Sequence, residues 1–150
     1  LPTRQNLRRR NLDITDTCCP FCNVSDEDAS HLFFNCPKIL PLWWESWAWE
    51  SFIGAFSIRP KEHFSQSSFG HLRGKDSSRW LTWWAALTWC IWNHRNQILF
   101  HNGSFNGYKL MEDAIFFLLV LAEKSGTRIS DSFSLLVLKI VSLFCICGEG

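Results

Sequence analysis

The sequence contains no segment that marks a membrane-spanning or secreted protein. Its longest apolar runs are AIFFLLVLA at 114–122 and FSLLVLKIVSLFCIC at 133–147, the second interrupted by Lys139. Both are shorter than the ~18 to 20 apolar residues that a spanning helix needs. No basic segment followed by an apolar one opens the chain, so no signal peptide is indicated. The sequence therefore predicts an intracellular protein, in the nucleus or the cytoplasm, that is not secreted.

The sequence also lacks an excess of either charge. The formal net charge is +1, so no overall field points by itself to a polyanionic partner.

The chain begins with Leu1 instead of methionine, which predicts a fragment of a longer translation product. Seven cysteines are an odd number with no secretory context, and this favours reduced thiols and a metal site over disulfides.

Apolar residues are abundant, and their spacing indicates helices. With 150 residues, 47% of them apolar, the chain has enough material for the core of one domain or of two small ones. Tryptophans lie in two groups, at 43–49 and 80–92, with helical spacing in each. The predicted fold is mainly α, with a small zinc-stapled CCHC module followed by a few packed, Trp-rich helices. The helices are expected at 26–35, 38–52, 78–100 and 108–124.

The same pattern divides the chain into four parts. Residues 1–53 are predicted to be a zinc-binding module with a basic N-terminal segment and a tryptophan-bearing helix. The glycine- and serine-rich residues 54–77 are predicted to be a linker. Residues 78–126 are expected to be helical, and the sequence HNG at 101–103 to end the first helix. The apolar tail, 127–150, is compatible with a strand as well as with a helix.

One half of a candidate metal site lies in the sequence CCPFC. Cys19 and Cys22 have the C-x2-C spacing of a metal knuckle, in which two sulfurs face one ion. Pro20 is expected to pre-set the turn between them. The adjacent Cys18 would give C-x3-C, and we interpret it as a neighbour of the ligands.

The other half lies on a short helix. Ser25 and Asp28 fit a capping box that would start this helix, and His31 follows on it. His31 and Cys36 are five residues apart, so a continuous α-helix would turn them to different faces. Pro37 is expected to end the helix and so to let Cys36 swing back toward the ion.

Together these residues form a closed set of three thiolates and one imidazole. Such a set predicts one structural Zn²⁺, with no open position for a water nucleophile. Two other interpretations are buried free cysteines and a C-x-x-C redox pair, which would need a preceding strand and a long following helix. Elsewhere, Cys90 and His94 lie four residues apart, the spacing of a nucleophile and its base or of a second metal site. We favour a core cysteine beside a surface histidine there.

The N-terminal third of the chain resembles a known family in the sequence LPTRQNLRRR…CCPFCNVSDEDASHLFFNCPKILPLWW. The family is the reverse transcriptase zinc-binding domain, found at the C-terminal end of plant LINE-type (non-LTR) retrotransposon polyproteins. A later segment, ALTWCIWNHRNQILFHN, resembles the W-x-I-W-x-x-R-N-x-x-x-F segment that follows in such proteins. The resemblance covers about the first 105 residues. It implies that Cys19, Cys22, His31 and Cys36 are the zinc ligands.

The resemblance implies an accessory domain that contacts RNA or DNA beside a polymerase domain absent from this chain. No paired aspartate in a Tyr/Phe-x-Asp-Asp setting is present, so we predict that the fragment is not an enzyme. Relatives usually continue with further tryptophans, whereas this chain has none after Trp92. The tail at 127–150 therefore suggests a shifted reading frame in a degenerate copy of the element.

Two functions remain open from the sequence. In the first, a basic patch contacts phosphates and an exposed Phe21 stacks on bases, although the acidic residues 26–28 oppose direct base reading. The alternative is a structural scaffold that packs against the polymerase domain or a second copy, as a possible homo-oligomer, and in which the basic helix is merely solvated. The predicted nucleic-acid contacts are Arg4, Arg8, Arg9, Arg10 and Lys38.

Overall fold

The described part of the chain is mainly helical. The computed structural model describes residues 1–49, 57, 59–65 and 75–124. Its helices are α1 (Arg4–Arg9), a π-helix (His31–Asn35), α2 (Leu40–Trp49), α3 (Pro60–Ser65), α4 (Lys75–His101) and α5 (Gly107–Lys124). The described ranges contain an isolated β-bridge between Cys18 and Asp26 and no strand. The predicted mainly α fold is confirmed.

Helices α4 and α5 form a hairpin whose turn follows from its sequence. Asn102 takes a positive φ of 53°, and the N–H of Gly103 donates to the carbonyl of Gln97 at 3.1 Å. A Cβ on Gly103 would lie 3.2 Å from that carbonyl group, so the close approach favours glycine. The Asn106 side chain then accepts from the N–H of Lys109 at 3.0 Å and caps α5. The predicted stop at HNG is thus observed.

The N-terminal segment and α4 share one hydrophobic core. Phe34 of the π-helix stacks on Trp43 of α2 and on Trp84 of α4, with ring centroids 5.7 and 6.2 Å apart. The Trp43 indole N–H donates to the carbonyl of Phe33 at 2.7 Å. Nonlocal packing of this kind ties the tryptophan helices to the segment that carries the candidate metal site.

Residues 60–65 form the short helix α3, within the segment 54–77 that the sequence predicts to be a linker. The ring of His63 is buried, with its centroid 4.4 Å from that of Phe34 and 4.6 Å from that of Trp43. The indole N–H of Trp84 donates to His63 Nδ1 at 3.0 Å. Burial lowers the pKa of His63 to about 3, so the ring is neutral and packs as part of the core.

The structure bears differently on two sequence predictions, the one for the apolar tail and the one that no helix spans a membrane. Residues 127–150, with the shifted-frame hypothesis that concerns them, lie outside the described residues. Within the described ranges, no helix has the length and apolarity needed to cross a bilayer.

Candidate metal centre

A short hairpin-like loop positions the first two candidate ligands. The N–H of Glu27 donates to the carbonyl of Thr17, and that of Cys19 to the carbonyl of Ser25, both at 2.7 Å. At the tip, the N–H of Asn23 donates to the carbonyl of Cys19 at 2.8 Å, and Asn23 adopts a φ of 54°. Asparagine tolerates this left-handed conformation better than most residues, which helps to close the loop around Cys19.

The helix that carries His31 begins at a different cap from the one predicted. The carboxylate of Asp28 accepts from the N–H of His31 at 2.7 Å, whereas the carbonyl of Ser25 belongs to the loop ladder. Asp28 is therefore the N-cap, three residues before His31, and the predicted capping box with Ser25 as the cap is wrong. The reason is that the backbone hydrogen bonds between 17–19 and 25–27 keep the chain extended through Ser25 and Asp26.

A π-turn brings His31 and Cys36 to the same side. The N–H of Cys36 donates to the carbonyl of His31 at 2.8 Å, which is an i to i−5 hydrogen bond. This wider turn aligns two residues that an α-helix would separate, and π-bulges of this kind are frequent at functional sites. Cys36 itself is extended, with φ −62° and ψ 129°, so the predicted helix end before Pro37 is observed as well.

The four predicted ligands meet at one point. Their ligand atoms all lie within 4.8 Å of one another; the Cys19 and Cys36 sulfurs are 3.9 Å apart, and Cys22 Sγ is 3.3 Å from His31 Nε2. A tetrahedral zinc with bonds of about 2.3 Å to sulfur requires sulfur atoms about 3.8 Å apart. Cys19 and Cys36 are fully buried, and Cys22 and His31 are half-buried. The cluster thus fits one structural zinc ion with a complete donor set.

The surroundings of Cys19 favour the thiolate, the form of cysteine that binds zinc. A hydrogen bond with Cys36 lowers the pKa of Cys19 to about 5, and the backbone N–H groups of Cys22 and Phe21 act in the same direction. The same hydrogen bond and burial raise the pKa of Cys36, while the backbone N–H of Lys38 opposes this. The two sulfurs therefore share a proton that zinc binding would release.

Cys18 stands outside the cluster, as the C-x2-C spacing predicts. Its backbone pairs with Asp26 in the β-bridge, and its N–H donates to the Asp16 carboxylate at 2.9 Å. The Asp16 carboxylate also raises the pKa of the Cys18 thiol, chiefly through a hydrogen bond. This environment disfavours the thiolate at Cys18.

A buried ion pair, which local sequence patterns do not predict, joins the metal loop to α4. Glu27 is fully buried, and its Oε1 accepts from Arg95 Nε at 3.0 Å and from the terminal Nη2 at 2.8 Å. The same oxygen accepts from the N–H of Arg4 at 3.4 Å, and the carbonyl of Glu27 accepts from the N–H of Gln5 at 3.3 Å. Glu27 therefore holds together α1, the metal loop and α4.

A signal for this pair is nevertheless present in the sequence. Arg95 follows Ile91 by four residues on the buried face of α4, where a charge requires a partner. The sequence assigns Glu27, together with Asp26 and Asp28, to an acidic loop. Of these three, only Glu27 is buried, because alternate residues of the extended ladder face opposite sides.

The basic residues predicted to bind nucleic acid fall into two groups. Arg8, Arg9, Arg10 and Lys38 are exposed. Arg4 is only half-exposed and is engaged within the protein, where its Nη1 donates to Asp16 at 2.6 Å and to the carbonyl of Cys18 at 2.8 Å. Arg4 thus supports the loop that carries Cys19.

The prediction that Phe21 is exposed for base stacking is wrong. Phe21 is 4% exposed, and its ring lies 5.2 Å from that of Phe105 and 6.3 Å from that of His94. Apolar side chains flanking a metal knuckle are drawn into the core when a helix lies beside it, as α4 does here.

Cys90 and His94 do not form a nucleophile–base pair in the arrangement observed. Burial raises the pKa of Cys90 to about 12, which keeps it a thiol. His94 is buried rather than on the surface, and its Nε2 accepts from the N–H of Asn106 at 3.1 Å. Burial also lowers the pKa of His94, which favours the neutral ring that this hydrogen bond requires as its acceptor.

The loop, the π-turn and the closed donor set define a Cys₃His zinc-binding domain of the structural type. Residues 1–43 match the family model described as zinc-binding in reverse transcriptase. For that range, the match confirms the similarity of the sequence to the zinc-binding region of reverse transcriptases. Neither the curated proteins nor the solved structures yielded a match to the chain.

Proposed function

We propose that the zinc-binding domain is a non-catalytic accessory module that contacts RNA or DNA during reverse transcription. A cluster of exposed cations carries the proposal. Arg8, Arg9 and Arg10 are consecutive and exposed at the end of α1, and no carboxylate among the described residues pairs with them. Unpaired guanidinium groups on a rigid support are suited to phosphate contacts.

The rigid support comes from the metal loop. Thr3 caps α1 by accepting from the N–H of Asn6, and Glu27 binds the backbone of Arg4 and Gln5. The zinc domain would therefore act on nucleic acid through the helix that it fixes. This answers part of the objection from the acidic loop. Glu27 is neutralised internally by Arg95, and the Asp28 carboxylate caps the helix of His31, which leaves Asp26 as the exposed acid.

Removing these three charges is expected to weaken binding to single-stranded RNA about tenfold or more at low salt. In Arg8→Ala/Arg9→Ala/Arg10→Ala, the salt dependence should also flatten, by about 0.7 in the log–log slope for each phosphate that is no longer neutralised. Fluorescence anisotropy over a salt series measures both quantities. The matched control is Arg59→Ala/Lys61→Ala/Lys109→Ala, which removes the same charge from exposed positions elsewhere. Equal binding by the two triple variants, or no binding by the wild type at low salt, contradicts the proposal.

A second candidate function, a scaffold that packs on the polymerase domain or on another copy, is favoured by α5. The outer face of this helix exposes large apolar side chains in a helical stripe, of which Tyr108 is 90%, Phe116 68% and Leu119 60% exposed. The inner face, with Leu110 and Ala114, is buried. An apolar stripe that no described residue covers is typical of a protein interface.

If this stripe joins two copies, the wild-type chain will sediment as a concentration-dependent dimer. Phe116→Glu/Leu119→Glu should then sediment as a monomer, because charged residues would be buried at the interface. Val24→Glu is the control, since Val24 is an exposed apolar residue of the metal loop and not of α5. A monomeric wild type at all concentrations removes the self-association form of this candidate.

A further inference from the structure

A groove separates the N-terminal segment from the C-terminal half of α4. It has a volume of about 540 Å³, within the range of ligand-binding sites. Arg4 and Leu7 of α1 line one wall, and Trp92, Leu99 and Phe100 of α4 line the other. Neither the metal centre nor the core packing uses this space.

We propose that the groove binds an unpaired nucleobase of a single-stranded nucleic acid whose phosphates contact Arg8, Arg9 and Arg10. This inference rests on the proposed nucleic-acid contact and extends it to a second kind of subsite. The groove wall formed by α1 ends in those three arginines, so one strand can reach both features.

Aromatic rings supply the apolar part of such a subsite. Phe100 is 70% exposed although it is large and apolar, and it lines the groove. Trp92 is half-buried and held in place, with the Arg95 guanidinium 4.8 Å from its ring centroid and the Phe33 ring stacked 6.4 Å away. A fixed aromatic wall binds the flat face of a base with little loss of conformational entropy, and every base has such a face.

The charges around the groove favour a base over a phosphate. Asp13 and Asp16 line the groove, and carboxylates repel a phosphodiester. Asp16 is neutralised by Arg4 at 2.6 Å, whereas Asp13 is exposed and offers acceptor oxygens for the amino group of a base. The backbone of the strand is thus directed to the arginines outside the groove and the base into it.

The test compares Phe100→Ala with Trp44→Ala, which removes an exposed aromatic ring from α2, outside the groove and away from the apolar stripe of α5. Zinc-loaded proteins are titrated with RNA and DNA oligonucleotides of one sequence and with an abasic oligonucleotide of equal length. Phe100→Ala should bind the base-bearing strands about tenfold more weakly than Trp44→Ala, with an unchanged salt slope. Both variants should bind the abasic strand equally, and the RNA and DNA arms identify which strand provides the base.

Three outcomes distinguish this inference from the proposed function. If base-bearing strands bind in an arginine-dependent manner and Phe100→Ala and Trp44→Ala bind them equally, the groove proposal is overturned while the phosphate contact stands. The groove proposal is also overturned if Phe100→Ala weakens binding of the abasic strand as much as binding of the base-bearing strands. If no strand binds the wild type at low salt, the proposed function fails and the groove proposal fails with it. Thermal melts of both variants, expected to match the wild type, exclude a folding defect.

Discussion

Replacing His31 by alanine is expected to abolish stoichiometric zinc binding and to unfold the segment between Thr17 and Cys36. Metal binding contributes on the order of 10 kcal/mol to the folding of small structural zinc sites. Leu32, Phe33 and Phe34 of the same segment are fully buried in the shared core, so their loss should propagate to α2 and α4. Thermal unfolding followed by near-UV circular dichroism, with and without a chelator, measures the effect on the tryptophan packing.

The matched control is Cys18→Ala. Cys18 adjoins a ligand in sequence but lies outside the cluster, so this variant should keep its zinc and lose little stability. Cys19→Ala, one residue away, should behave like His31→Ala. An unchanged circular dichroism spectrum and melt after complete removal of zinc would show that the metal does not hold this part of the fold.

The second large effect is expected at the ion pair between Glu27 and Arg95. Glu27→Leu leaves a buried guanidinium without its carboxylate, and Arg95→Met leaves a buried carboxylate paired only with Arg4, whose Nε is 3.9 Å from Oε2. Breaking a buried pair in this way typically costs about 3–5 kcal/mol of unfolding free energy. Urea unfolding of the zinc-loaded variants measures the loss. Arg59→Met, which breaks an exposed pair with Glu62, should leave stability nearly unchanged.

The double variant Glu27→Leu/Arg95→Met should recover most of this loss. Burial raises the pKa of Glu27 even though the Arg95 charge opposes it. The free-energy cost of desolvating the carboxylate therefore exceeds the stabilisation that the Arg95 charge provides. Two apolar side chains of similar volume avoid that cost. If the double variant is as unstable as the sum of the single ones, the two residues do not act as a pair, and the link between the metal loop and α4 must lie elsewhere.

The donor set and the mainly helical fold could be predicted because they depend on local spacing. C-x2-C brings two sulfurs together within one turn, and Pro37 ends the helix wherever the rest of the chain lies. The periodic apolar residues of α4 and α5 likewise determine their own helices to within a few residues. For the same reason, the C-x2-C spacing alone was enough to predict that Cys19, and not Cys18, is the ligand.

The features that sequence reasoning missed depend on contacts between distant parts of the chain. Phe21 was expected to be exposed because nothing in the loop indicates that Phe105 lies over it. His63 lies in a turn-rich segment, and its burial follows only from the aromatic rings of other helices. The partner of Glu27 is 68 residues further along the chain, at a separation that local pattern does not reach.

The π-turn is a further case in which local rules predicted the outcome but not the means. The five-residue separation of His31 and Cys36 indicated that a regular α-helix could not serve both. The sequence suggested a helix end as the remedy, and the structure combines that end with a widened turn. The hydrogen bond from Cys36 to His31 is favoured because it satisfies a backbone donor while it aligns the two ligands.

The most direct test of the Cys₃His centre is X-ray absorption at the zinc edge on protein that carries one zinc per chain. The structure predicts a first shell of three sulfurs at about 2.3 Å and one nitrogen at about 2.0–2.1 Å. The Cys18→Ala variant should give the same spectrum. A shell with fewer than three sulfurs, or a spectrum without the outer-shell scattering of an imidazole ring, would contradict the assignment of Cys19, Cys22, His31 and Cys36.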